Sequence, residues 1–227
     1  MKNTRTMKAL LFLTLILGLT LSLLAADAWK AKKYTDWTEQ EAMQILNRSP
    51  WASQQSTVAG MYSEMPGSST TTGGRRSQSN NDDVNMANYV VAWYSAMPVR
   101  QAHARLASLK NRAKPEDLQE FLAPVGDVCL ITVTGQLHRR FEGANKEELL
   151  KKTYLQVKGK PKVFATDYQA PSATSRLAIF QFPRTLDNAP IFTENDKEVE
   201  FISTVEGIRI QASFAPKKMI FEDKLNF

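Results

Sequence analysis

The C-terminal part of the chain alternates between apolar and polar residues with the period of a β-strand. Every second residue from Val199 to Val205, and again from Ile208 to Phe214, is mostly apolar. Because successive side chains of a strand point to opposite faces, each run predicts a strand with one buried face. Glu206 and Gly207 separate the two runs, and a two-residue turn that contains glycine predicts a β-hairpin.

Further segments are rich in β-branched and aromatic residues, which predicts strands. Residues 127–134 are apolar on both faces, so we expect a central strand that is covered on both sides. The complete set of predicted strands before the hairpin comprises residues 87–95, 127–134, 153–157, 163–166 and 176–182, and residues 218–221 add a last strand.

Three segments have helical spacing. A helix of roughly fourteen residues is predicted from Pro98, since proline is tolerated in a first turn and apolar residues then recur every three or four positions. A second helix is predicted from Pro115 to before Pro124, and a third, capped by Asn145, to about Lys152. No regular helices separate the later strands, which argues against a doubly wound parallel fold. The pattern predicts an α+β domain, with a largely antiparallel sheet and helices packed on one face.

Residues 29–51 form a tryptophan-rich N-terminal arm. Thr38 and Glu41 have the spacing of a capping box, which predicts a helix that ends before Pro50. Three of the four tryptophans lie in this arm, namely Trp29, Trp37 and Trp51. Large aromatic side chains need apolar cover, so we expect the arm to dock either on its own domain or on a partner.

Residues 52–86 are polar, small and poor in core-forming side chains. Such a segment cannot bury enough apolar area to offset its ordering entropy, which predicts a flexible loop. The resulting domain organisation is residues 29–51 as the arm, 52–86 as the loop and 87–227 as the α+β domain.

The first 28 residues have the layout of a secretory signal peptide. Lys2, Arg5 and Lys8 precede an apolar run over residues 9–24, and Ala26 and Ala28 occupy the positions that a signal peptidase reads. This predicts an exported protein, periplasmic or secreted, with cleavage after Ala28 or after Ala26. The alternative is an uncleaved N-terminal membrane anchor, although the run is shorter than the ~20 residues of a spanning helix.

Charge and cysteine content narrow the expected chemistry only slightly. Removal of residues 1–28 takes away three of the 29 basic and one of the 23 acidic residues, leaving a net charge of about +4. This mild surplus favours anionic surfaces without requiring nucleic acid, and no nucleic-acid partner is expected. The one cysteine, Cys129, excludes an intramolecular disulfide and is expected to be a small buried residue.

No catalytic or cofactor motif is present. His103 and His138 are the only histidines, and neither a zinc-protease helix motif nor a nucleophile elbow occurs. His103 lies on an apolar helical stripe, and His138 is expected in an exposed turn. We therefore expect no cofactor and no metal, and keep as an alternative a hydrolase that uses an unrecognised site with His103 or His138 as base.

Four basic clusters could meet an acidic partner. They are Arg139-Arg140, Lys151-Lys152, Lys158-Lys160-Lys162 and Lys217-Lys218. Three of them fall within residues 139–162 and could form one patch, whereas separate solvated lysines are the simpler interpretation. The candidate partner surface comprises Trp29, Trp37, Trp51, Arg139 and Arg140.

Several local phrases resemble a family of exported proteins of unknown function from acidobacteria. They are Asp36-Trp37-Thr38-Glu39, Ser49-Pro50-Trp51-Ala52, Met97-Pro98-Val99-Arg100-Gln101-Ala102, Phe182-Pro183-Arg184 and Lys197-Glu198-Val199-Glu200-Phe201. The resemblance implies a bacterial envelope or secreted location and carries no activity or site residues.

Export and the absence of catalytic motifs together favour a non-enzymatic binding or assembly role in the bacterial envelope, with an envelope protein or an anionic surface as partner. The alternatives are the hydrolase and an adaptor that binds anionic lipid or polysaccharide.

Overall fold

A computed structural model describes residues 28–58 and 86–227. Its α-helices are α1 (Ala28–Ala31), α2 (Glu39–Asn47), α3 (Met97–Leu109), α4 (Pro115–Leu122), α5 (His138–Glu142) and α6 (Lys146–Lys151). Its strands are β1 (Arg48–Ser49), β2 (Ala52–Val58), β3 (Met86–Trp93), β4 (Val128–Gly135), β5 (Tyr154–Val157), β6 (Val163–Phe164), β7 (Asp167–Gln169), β8 (Ala178–Pro183), β9 (Thr185–Leu186), β10 (Ala189–Pro190), β11 (Val199–Val205), β12 (Ile208–Phe214), β13 (Ile220–Phe221) and β14 (Lys224–Leu225). Tyr34–Asp36 and Pro216–Lys218 are short 3₁₀ helices.

The strands form two principal antiparallel sheets. The large sheet has the order β1-β2-β3-β4-β8-β7, and the small sheet has the order β12-β11-β5-β6. Two further hairpins, β9–β10 and β13–β14, lie outside these sheets. The α+β class with a large antiparallel sheet is therefore confirmed, and the structure adds a second sheet to it.

Aromatic side chains join the two sheets across one apolar interior. The ring of Phe201 in β11 lies 5.6 Å from that of Phe180 and 6.3 Å from that of Phe182, both in β8. Trp93 in β3 lies 5.7 Å from Phe214 in β12. All five side chains are buried. The sheets thus pack face to face, and each aromatic pair adds about 0.5–1.5 kcal/mol to the effect of area burial.

A tyrosine closes the sandwich where β12 forms the edge of the small sheet. The Tyr89 hydroxyl donates to the Gln211 carbonyl oxygen and accepts from the Gln211 amide, each at 3.2 Å. An edge strand leaves backbone groups unpaired, and Tyr89 satisfies two of them. Burial raises the pKa of Tyr89, so the hydroxyl keeps its proton and continues to donate.

The predicted hairpin is confirmed. Val205 of β11 pairs with Ile208 of β12, and both turn residues have positive φ, 47° at Glu206 and 77° at Gly207. Positive φ at both positions is the geometry of a type I′ turn, whose twist matches that of the strands. The predicted central strand is also confirmed, because β4 lies between β3 and β8.

The helices pack in two groups. α2 packs on α3 and on β1 and β2, and α3 also packs on α4. α5 packs on β4 and β8, and α6 on β7 and β11. The predicted caps are confirmed: the Glu41 amide donates to Thr38 Oγ1 at 3.2 Å, and the Thr38 amide donates to Glu41 Oε2 at 2.8 Å. Asn145 Oδ1 likewise accepts from an amide in the first turn of α6.

The prediction of a flexible loop from residue 52 is wrong for Ala52–Val58. These residues form β2, which pairs along its whole length with β3, from Ala52 opposite Ala92 to Val58 opposite Met86. From Ser53 onward its side chains alternate between partly buried and exposed positions, and most of them are polar. Backbone pairing with an apolar neighbour overrides their low strand propensity. Met86, the last residue of the predicted loop, begins β3. Residues 59–85, the remainder of that loop, lie outside the described residues.

The tryptophans of the N-terminal arm are buried, which corrects their assignment to a partner surface. Trp37 and Trp51 have 0% of their surface exposed and Trp29 has 7%. Trp51 donates its indole N–H to the Asn226 carbonyl at 2.6 Å, and Trp29 packs edge-on against Trp51 at 5.4 Å. Of the two outcomes that the sequence left open, the structure has the arm docked on its own domain.

No helix within residues 28–58 and 86–227 is long and apolar enough to cross a membrane. The predicted signal peptide lies outside the described residues except for Ala28, which begins α1.

Because the arm is docked, replacing a buried side chain of α2 by alanine should lower the free energy of unfolding more than replacing an exposed one. Ile45 is 1% exposed and Met43 is 43% exposed. Ile45→Ala should lower the free energy of unfolding by about 2–4 kcal/mol, because it leaves a cavity in the core. Met43→Ala, the control, should change it by less than about 1 kcal/mol. Urea denaturation of both variants measures the difference, and equal values would contradict docking of the arm.

Candidate functional site

The two histidines occupy different environments. His103 lies on α3 and is mostly enclosed, with its ring 5.3 Å from that of Tyr94. Burial lowers the pKa of His103 to about 4. The side chain is therefore neutral near pH 7 and belongs to the packing between α3 and the end of β3.

His138 begins α5, which corrects the expectation of an exposed turn. Its Nδ1 lies 3.0 Å from the Gly135 carbonyl oxygen. Because a carbonyl oxygen can only accept, Nδ1 carries the proton of this bond and the ring orientation is fixed. Nε2 makes no hydrogen bond to any residue in the described part of the chain.

Gly135 brings β3 and β4 into close contact beside His138. Its φ is 107°, and a Cβ at this position would lie 2.5 Å from the Asn88 carbonyl oxygen and 2.9 Å from the Tyr89 Cα. Only glycine fits a backbone approach of this kind. The following residue, Gln136, donates its amide to the Asn88 carbonyl at 3.0 Å, which holds the start of the turn against β3.

His138 lines a recess of about 450 Å³ that we call the polar cleft. β2, β3, the end of β4 and the segment before β8 supply its walls. Its lining residues are Gln54, Asn88, Tyr89, Val90, Gly135, Gln136, His138 and Arg176. This volume falls within the ~300–1,000 Å³ of small-ligand sites.

The amide side chains of the polar cleft turn their acceptors to the protein. Asn88 Oδ1 accepts from Ser56 Oγ at 2.8 Å. Gln136 Oε1 accepts from the backbone N–H of Asn88 at 2.7 Å. Gln54 Oε1 accepts from Arg48 Nε at 3.4 Å. The three amide nitrogens donate to no other residue of 28–58 and 86–227. These nitrogens remain as hydrogen-bond donors for a ligand.

The electrostatics of the polar cleft are one-sided. Arg176 is exposed and forms no ion pair with the residues that the structure describes. No described lining residue is an aspartate or glutamate. A guanidinium with amide donors and no competing carboxylate favours a ligand that carries negative charge and oxygen acceptors.

The lining offers little for covalent chemistry. It contains no serine, threonine or cysteine among the described residues, and the Tyr89 hydroxyl points away from it to the Gln211 backbone of the small sheet. Cys129 is fully buried in β4, and burial raises the pKa of its thiol to about 12. Within the described parts of the chain, no three His, Cys, Asp or Glu side chains converge to hold a metal ion. The arrangement is suited to binding.

Arg139 and Arg140 lie on α5, apart from the buried tryptophans with which the sequence grouped them. Arg140 forms an ion pair with Glu206 at 2.7 Å, whereas Arg139 is exposed. An exposed ion pair of this kind adds at most about 1 kcal/mol to stability.

Most lysines of the clusters within residues 151–162 have local partners. Lys151 and Lys152 pair with Glu148, and Lys160 pairs with Asp196 at 2.7 Å. Lys162 places its Nζ 4.0 Å from the centre of the Tyr154 ring. Local partners thus account for most of the predicted basic patch.

Sequence reasoning found His138 and missed the other polar residues of the cleft. Gln54, Asn88, Gln136 and Arg176 come from four separate segments and form no motif. One local indication existed. Gly135 and Gln136 follow a strongly apolar strand, and this pattern indicates a turn at the end of the strand.

Comparison with protein-family models, curated proteins and solved structures found no match for this chain.

The burial of His103 predicts a specific loss of stability in acid. Its pKa is about 4 when folded and about 6.5 when unfolded. The unfolded chain therefore binds the proton first, and stability present above pH ~6.5 is lost as the pH falls towards 4. The free energy of unfolding of the wild type, measured relative to that of His103→Gln, should fall by roughly 3 kcal/mol over this range.

Urea denaturation at several pH values measures this effect. Carboxylates titrate in both proteins, so only the difference between them reports His103. His138→Ala is the control and should keep the wild-type slope. Parallel pH profiles for wild type and His103→Gln would contradict the assignment.

Proposed function

We propose that this protein is an exported, non-enzymatic binding protein of the bacterial envelope, and that its polar cleft holds an anionic ligand. The observation that carries the proposal is the donor-rich lining of the cleft. Arg176 and three side-chain amides line the same recess, and no described lining residue is a carboxylate.

The chemistry of the lining supports an oxyanion as the bound group. Carboxylate, sulfate and phosphate oxygens accept several hydrogen bonds at once, and arginine can donate two in a planar fork. Charge-assisted hydrogen bonds contribute about 1.5–3 kcal/mol each, which exceeds the contribution of neutral ones. Asn88 and Gln136 are held by their own acceptor oxygens, so their donors are oriented before a ligand arrives.

The scaffold supports binding in the same way. Gln54 and Asn88 of the cleft lie on the paired strands β2 and β3, beside the tight contact at Gly135. Arg176 lies on the irregular segment before β8. Sites on regular elements hold their geometry better than sites on loops.

Export supports an extracytoplasmic ligand. The motivating observation is the basic start, apolar run and small residues of positions 1–28. Mass spectrometry of the protein from its host should find Trp29 or Asp27 as the first residue. Met1 retained in a soluble cytosolic fraction would contradict the proposed location.

Binding through the cleft predicts that Arg176 matters more than other exposed arginines. With a short oligogalacturonate as the carboxylate probe, Arg176→Ala should weaken binding about tenfold. Arg139→Ala is the matched control, because Arg139 is exposed and does not line the cleft. It should change affinity less than about twofold. Calorimetry at low and physiological salt measures both.

The probe panel separates a site from a general charge effect. A neutral oligosaccharide of equal length should bind weakly, and added salt should weaken the acidic probe. Vesicles containing phosphatidylglycerol test the phosphate source of the same chemistry. Equal losses in Arg176→Ala and Arg139→Ala, or no binding of any acidic probe, would overturn the proposal.

A further inference from the structure

A second recess adjoins the polar cleft along β2. We call it the strand groove; it encloses about 710 Å³ between the end of α2, the outer side of β2 and the 3₁₀ helix Pro216–Lys218. Its polar lining residues include Asn47, Arg48, Ser53, Gln54, Ser56 and Lys218. Like the polar cleft, it contains no carboxylate among its described lining residues.

The two recesses are adjacent. Gln54 lines both of them. Ser56 lines the strand groove and donates to Asn88 of the polar cleft, directly across the β2–β3 ladder. Arg48 donates to Gln54, so the cation of one recess touches the amide shared with the other.

Along this path the cations are divided between the two recesses. Arg176 belongs to the polar cleft, whereas Arg48 and Lys218 belong to the strand groove. On β2, Gln54 and Ser56 present an amide and a hydroxyl on the face that carries Asn88 on β3. Lys218 forms no ion pair with the described residues. Anionic groups spaced along one molecule would match this order.

We propose that the two recesses form one extended site for a linear acidic polysaccharide, such as a polyuronate, lying along β2. This inference rests on the proposed function, because it names the ligand class of the polar cleft. Sugar hydroxyls pair with Gln54 and Ser56, while carboxylates at intervals meet Arg176 in the polar cleft and the two cations of the strand groove.

The shape of the site favours a chain over a membrane surface. A planar bilayer is bound by apolar side chains that enter the lipid together with exposed cations. Among the described lining residues of the strand groove, the aromatic one is Trp29, which is 7% exposed and packs against Trp51. An open polar groove along a strand instead accommodates a narrow polymer.

The test compares affinity with ligand length. Galacturonate oligomers of one, three and six sugars are titrated into the mature protein by calorimetry. The hexamer should bind at least about tenfold more tightly than the monomer, since it engages both recesses. Lys218→Ala should weaken hexamer binding about fivefold and leave the monomer unchanged, whereas Arg176→Ala should weaken both.

Lys217→Ala is the matched control. Lys217 is exposed and adjacent in sequence but does not line the strand groove. It should leave affinity for the hexamer within about twofold. Thermal unfolding of each variant verifies that the exposed substitutions leave the fold intact.

The outcomes distinguish this inference from the proposed function. Equal affinity for all three lengths, or equal effects of Lys218→Ala and Lys217→Ala, would overturn the extended site while leaving anion binding at the cleft. Binding to phosphatidylglycerol vesicles but not to oligomers would overturn the polysaccharide. Loss of binding to every acidic probe would overturn both proposals.

Discussion

Stability in this protein depends on the apolar contact between its two sheets. With a single cysteine, the chain cannot form an intramolecular disulfide, and so noncovalent packing must hold it. Phe180 and Phe182 of the large sheet meet Phe201 of the small sheet in the centre of that contact. The same interior continues to Trp93, whose ring packs against Phe192, Phe214 and Phe227. The N-terminal arm extends this interior: Trp51 joins it through the Asn226 carbonyl, which places the arm within the folded domain.

The side chains of β3 alternate between two faces, one in the core and one at the candidate site. Tyr89 and Val91 face the small sheet and are buried, whereas Asn88 and Val90 point to the other side. One strand therefore anchors the sandwich and presents polar side chains to the cleft. Gly135 sharpens the link, because its close approach to Asn88 sets the position of Gln136 and of the carbonyl that orients His138. The cleft inherits the rigidity of the ladder, which suits recognition by donors oriented in advance.

Local patterns in the sequence predicted the elements whose cause is local. The hairpin at Glu206-Gly207, the capping box at Thr38 and the helix from Pro98 follow from turn chemistry, caps and periodicity, and all are present. β2 was missed because its polar side chains carry no strand pattern, and its formation depends on β3, distant in sequence. The second sheet was not foreseen for the same reason, since pairing of β5 with β11 is long-range. His138 stood out as a rare residue type. Arg176 became a candidate only when the fold placed it in the same recess as Asn88 and Gln136.

Basic side chains differ in whether an acidic partner lies beside them. The mild positive surplus of the chain does not by itself indicate a ligand. Many of its lysines are neutralised where they stand, as Lys32 is by Glu41, Lys110 by Glu39 and Lys160 by Asp196. The polar cleft and the strand groove differ because their described linings contain cations and donors without an acid. A folded chain gains nothing in stability by grouping unpaired cations and unused donors. Their grouping in two recesses that share Gln54 therefore has no counterpart in the stability of the fold, and it is the observation on which the proposed anionic ligand depends.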